Sequence, residues 1–134
     1  VTVIDSNGSR DHGDTGLYKT ISGNFIFAGS GRSVNDVPDN PVVVQASAGK
    51  AFTTKNTIVG IAEKASGYME ILMKSGSTFT AQKVDGDTGL LMGAAAKLSA
   101  ADVSAREYFY DMDLNGDTVV SVVGQTTAPT GWAL

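Results

Sequence analysis

From Gly67 to Val84 the chain alternates as a strand does, turns, and alternates again. Met69, Ile71 and Met73 fall on one side of the first run, with Tyr68, Glu70, Leu72 and Lys74 on the other. Ser75-Gly76-Ser77 supplies a turn, after which Phe79 and Ala81 alternate with Thr80 and Gln82. A period of two sends successive side chains to opposite faces of a pleated backbone, and no helix satisfies it. The pattern predicts an antiparallel hairpin with one face inward, and a hairpin needs further strands or a helix to be stable. Those strands are on offer at Val1–Ile4, Leu17–Ile21, Asn24–Ala28, Val42–Gln45 and Thr57–Glu63, with Ser22-Gly23 as a second hairpin turn and Gly60 as a bulge position. Sixteen Gly against three Pro fit a β-rich chain with many turns, and 134 residues fit one domain.

One segment breaks the strand pattern. Ser99 is placed as an N-cap, and Asp102 three residues on completes a variant of the capping box. Ala101, Ala105, Tyr108, Phe109 and Met112 follow at helical spacing, which predicts a helix over about 99–111 packed on the sheet, with Ser104, Arg106 and Glu107 facing water. Val119–Val123 reads as a return strand. The expected fold is therefore α+β: mainly antiparallel sheet with one helix in the C-terminal half. The domain spans 1–124, and 125–134 forms a tail that carries the single tryptophan, Trp132.

The helix runs into Asp111-Met112-Asp113-Leu114-Asn115-Gly116-Asp117-Thr118-Val119-Val120-Ser121, the densest run of oxygen side chains in the chain. Clustered acids repel, and a hard cation that takes about six to eight oxygens from a tight loop removes the repulsion. Counted as a calcium loop, Asp113 is the first ligand, Asn115 the third, Asp117 the fifth, the Val119 carbonyl the seventh and Ser121 the ninth. Asp111 can add an oxygen from the helix end. Position six is Thr118 rather than Gly, and position twelve is Gly124, so the closing carboxylate is missing. Counting from Asp111 puts Gly116 at position six, but Val122 then closes the loop. The alternative is a metal-free Asx-Gly turn joining helix to strand.

Other chemistry finds less support. The net charge of −4 carries no basic cluster, which argues against nucleic acid as a partner, and no apolar run approaches the roughly 20 residues of a membrane-spanning helix. There is no Cys, hence neither disulfides nor thiol chemistry. His12 has no partner at recognisable spacing. Gly29-Ser30-Gly31-Arg32-Ser33 lacks the last Gly of a dinucleotide fingerprint, and Gly49-Lys50 is followed by Ala51 instead of Ser or Thr. Glu63 and Glu70 are the nearest approach to a glycosidase-like pair, but strand glutamates usually face solvent. No enzyme is expected.

The order of features resembles the tryptophan-rich C-terminal domain family first noted in cyanobacterial proteins. The resemblance is carried by Gly60-Ile61-Ala62-Glu63-Lys64-Ala65-Ser66-Gly67-Tyr68, the strand ending in Lys74, Asp85 with its Gly-rich turn, the helix containing Glu107 and Phe109, and Asp113-Leu114-Asn115-Gly116-Asp117. Ile4-Asp5-Ser6-Asn7-Gly8-Ser9 followed by Leu17 is similar to the start of the same unit. The tryptophans that name the family are absent: Thr57 or Ile58, Met73 and Ala81 stand near their places. The resemblance implies a non-catalytic module of large secreted or cell-surface bacterial proteins associated with calcium.

The expectation is a calcium-stabilised structural or assembly module, secreted or at the cell surface. Val1–Ile4 or Val119–Val123 would pair as edge strands with another copy into an oligomer or filament. The competing class is an adhesion or carbohydrate-binding module that takes an extracellular glycan on exposed aromatics, for which Tyr18, Tyr68, Tyr110 and Trp132 are the candidates.

Overall fold

A computed structural model describes residues 2–5, 16–28, 41–63, 68–110, 112–117 and 119. Among the described residues, ten strands and a helix follow in order: β1 (Thr2–Asp5), β2 (Gly16–Lys19), β3 (Phe25–Ala28), β4 (Val42–Val43), β5 (Gln45–Ser47), β6 (Lys50–Ala51), β7 (Thr57–Glu63), β8 (Tyr68–Ser75), β9 (Thr78–Asp85), β10 (Ala96–Lys97) and α1 (Ala100–Tyr110). The fold is α+β, with antiparallel sheets and the helix in the C-terminal half. His12, the Gly29–Ser33 loop, Trp132 and the 125–134 tail lie outside the described residues.

One sheet has the order β1-β2-β3-β4 and the other β10-β9-β8-β7, while β5 and β6 form a small separate pair. The hairpin pattern is realised as β8 and β9, paired in register from Tyr68 opposite Asp85 to Ser75 opposite Thr78. Gly76 takes a φ of 60° at the turn, which a residue with a Cβ adopts only at a cost. The register of β7 on β8 slips between Ile58 and Gly60, the bulge that Gly60 suggested.

The expectation of one inward face does not hold for β8. Met69, Ile71 and Met73 pack with Leu17, Phe25, Phe27, Val44 and Phe52 of the first half of the chain. Leu72, on the opposite face, packs with Phe79, Val103, Phe109, Tyr110 and Leu114 around the helix. β8 is therefore a central strand with apolar layers on both sides. Full burial of a Phe or Leu side chain contributes about 1.5–3 kcal/mol, so the helix-side layer is a substantial part of the stability.

Gln45 joins the two halves. Its N–H donates to the Gly89 carbonyl at 2.7 Å, its carbonyl accepts from Leu91 N–H at 3.0 Å, and its side-chain amide donates to the Thr88 carbonyl at 2.8 Å. The close approach has a steric condition: Gly89 has φ 79°, and a Cβ there would overlap the Val43 carbonyl oxygen.

The helix starts where its sequence says. Ser99 N–H donates to Asp102 Oδ2 at 3.1 Å, and Asp102 N–H donates to Ser99 Oγ at 3.2 Å, a reciprocal cap. These bonds, the Ser99 backbone N–H first and its hydroxyl next, hold the Asp102 carboxyl below the ordinary aspartate value. A lowered folded value stabilises above the ordinary value and is lost as pH falls through the lowered one. Asp102→Asn is expected to melt earlier than the parent at about pH 6 and to converge with it as the pH falls through the lowered Asp102 value, as read by circular dichroism melts on descending pH.

Candidate metal centre

The helix does not present Arg106 and Glu107 to water, as its sequence suggested. Arg106 is buried and Glu107 has no exposed surface at all, while Ala101, expected inside, is exposed. The helix is covered twice, by β7, β8 and β9 on one side and by residues 112–115 folding back on another. The buried arc is consequently wider than the apolar stripe, and the polar residues in it are paired. Arg106 Nε and Nη2 donate to Glu70 Oε1 and Oε2 at 2.8 and 3.0 Å, and the Tyr110 hydroxyl lies 3.0 Å from Glu70 Oε1. Glu70, expected at the solvent face of its strand, is 2% exposed for this reason.

Glu107 points the other way, into the polar loop. Its Oε2 accepts the N–H of Leu114 at 2.8 Å and of Asn115 at 3.0 Å. Leu114 is buried against the helix, so the chain turns back on itself directly after α1. The following backbone is held by its own side chains. Asp113 Oδ1 accepts Gly116 N–H at 3.0 Å, Asn115 Oδ1 accepts Asp117 N–H at 3.1 Å, and Asp117 Oδ1 accepts Val119 N–H at 2.9 Å. Gly116 has φ 79° with open space around it, which locates the left-handed step of the loop.

This path gathers Glu107, Asp113 and Asp117, whose carboxylate oxygens lie within 4.8 Å of one another and can hold one metal ion. An all-carboxylate set is hard, suited to Ca²⁺ or Mg²⁺ rather than to ions that favour sulfur or imidazole. Two of the six residues expected as ligands, Asp113 and Asp117, are in the cluster. Asn115 sits between them, with its amide oxygen turned to Asp117 N–H. Val119 lies exposed in a bend, its N–H donated to Asp117 Oδ1, and the rest of the strand expected at Val119–Val123 lies outside the described residues. Asp111 and Ser121 lie outside the described residues. Sequence reasoning missed Glu107. The available signal was the missing carboxylate at position twelve, which leaves a loop of this kind one anion short.

Of the aromatics considered for a glycan face, Tyr18, Tyr68 and Tyr110 are among the described residues. Tyr18 and Tyr110 are 2% and 1% exposed, and the Tyr68 ring lies under the Lys83 ammonium at 4.0 Å. A cavity of about 300 Å³ adjoins the loop, between Lys74, Phe79, Leu98, Val103, Leu114 and Asn115. Among the described residues, no helix is long and apolar enough to cross a membrane.

Fold and site together define an α+β domain with an acidic, oxygen-only cluster where its helix meets the next loop. No family model, curated protein or solved structure matches this chain.

Proposed function

We propose that the chain is a non-catalytic structural module of a secreted or cell-surface protein, in which Ca²⁺ bound at Glu107, Asp113 and Asp117 locks the helix to the loop that follows it. The observation that carries the reading is the convergence of a fully buried helix carboxylate with two loop carboxylates. Glu107 supplies from upstream the carboxylate that Gly124 lacks downstream. Asn115, the Val119 carbonyl, Ser121 or Asp111, and water complete the oxygen set of a calcium site. The proposed kinship with the tryptophan-rich domain family rests on the same helix and Asp-Leu-Asn-Gly-Asp run. Glu70 is engaged by Arg106 and Tyr110, which favours a structural over a catalytic role for it.

Binding to the folded state alone raises stability with ligand concentration. At millimolar calcium, a site of about 0.1 mM gains about 1.4 kcal/mol, or roughly 5 °C in melting temperature for a domain of this size. Thermal melts in EDTA and in about 1 mM calcium are expected to differ by that amount, and Asp113→Ala or Asp117→Ala to abolish the difference. Equal melts of the parent in both buffers would refute the reading. The module also self-associates through the outer edge of β1, which pairs within the described residues with β2 alone. Light scattering with and without calcium checks this; a monomer in both removes the assembly role and leaves the stabilising one.

A further inference from the structure

Three helix residues within one turn connect the central strand to the loop. Arg106 and Tyr110 hold Glu70 of β8, and Glu107 holds the Leu114 and Asn115 N–H groups. We infer that Glu70, Arg106 and Tyr110 are positioning residues for the metal site: their clamp fixes the rotation of α1 and thereby the place of the Glu107 carboxylate. The inference rests on the metal reading above.

The geometry supports a rotational lock. Residues four apart share a helix face, so Arg106 and Tyr110 reach the same glutamate, while Glu107 projects about 100° further round. A guanidinium meeting a carboxylate through two parallel bonds fixes orientation as well as distance. Arg106 Nη1 also donates to the Asp102 carbonyl at 3.2 Å, which ties the fork to its own helix. A carboxylate about 6 Å from the helix axis moves about 2 Å when the helix turns by about 20°, whereas ligand distances in metal sites hold to about 0.2 Å. The apolar contacts of Val103 and Phe109 with the sheet are non-directional and set the rotation less sharply than the fork does.

Calcium titration by calorimetry well below the melting temperature tests the lock, on Arg106→Lys and Tyr110→Phe, two variants that keep a side chain of similar size. Arg106→Lys is expected to weaken calcium binding about tenfold, and Tyr110→Phe by less, with unchanged far-ultraviolet spectra. A purely structural clamp would lower the melting temperature in EDTA and leave the dissociation constant unmoved, and that result overturns the inference. If the parent itself takes up no calcium, the metal reading falls separately, and the clamp is then read by amide exchange in EDTA. Leu114 and Asn115 are expected to exchange about tenfold faster in Arg106→Lys while Ile71 and Ala81 on β8 and β9 keep their protection. Unchanged exchange at Leu114 and Asn115 overturns the inference. Should Arg106→Lys fail to fold, Tyr110→Phe carries both measurements.

Discussion

Glu107→Ala is expected to lower stability in EDTA by about 3–5 kcal/mol and to remove the response to calcium, and Glu107→Gln to separate these two effects. The carboxylate accepts two N–H groups, one of them on buried Leu114. Truncation to Ala leaves both donors without this acceptor at about 1–3 kcal/mol each and opens a void between helix and loop. Gln keeps the shape and one carbonyl oxygen. It retains the two N–H bonds at a cost of about 1 kcal/mol while removing the negative charge that a cation needs. The expected pattern is a large loss for Ala in EDTA, a small one for Gln, and little or no calcium shift in either. Urea denaturation with and without calcium measures all four quantities. An Ala variant as stable as the parent would mean that Glu107 does not hold the loop.

Gly89→Ala is expected to cost about 3 kcal/mol or more, with a fall of about 10 °C in melting temperature. Two effects add. A side chain at φ 79° carries the left-handed penalty of about 1–2 kcal/mol, and the new Cβ would overlap the Val43 carbonyl, which is backbone and cannot swing aside. Moving Val43 would also pull on Gln45, whose three hydrogen bonds join the halves of the domain. Gly93 provides the control, with φ 77° and nothing within 4 Å of the place a Cβ would take. Gly93→Ala should carry the conformational penalty alone. The difference between the two variants reports the close approach of Gly89 to Val43, and equal losses would show that the approach contributes nothing.

Local features were legible in the sequence and long-range ones were not. The Ser99–Asp102 cap, the β8–β9 hairpin and the Gly60 bulge each depend on residues a few positions apart, and each is where its pattern placed it. Leu72 and Glu70 were harder. Strand period assigned them to an outer face, but α1 covers that face with residues more than thirty positions away. Arg106 and Glu107 failed for a related reason: a polar residue in a helical pattern is read as outward unless its buried partner is known. Glu70 is one such partner, and the backbone of Leu114 and Asn115 is the other. The same blindness put Tyr18 and Tyr110 among candidates for a stacking surface when both fill the core.

For the acidic cluster, Asp113 and Asp117 were legible because the loop motif is local, and Glu107 was not because its place in the cluster depends on how the chain folds back after the helix. A loop short of one anion need not find it downstream. A helix ending immediately before the loop presents carboxylates to it at the cost of a single turn of chain.

If an ion held jointly by helix and loop organises this junction, calcium titration followed by amide resonances will show it residue by residue. Saturable shifts are expected, concentrated at the backbone amides of Glu107, Leu114, Asn115, Gly116, Asp117 and Val119, and lost in Asp113→Ala. Uniformly small shifts up to about 10 mM calcium, or shifts centred elsewhere in the domain, would contradict the joint site.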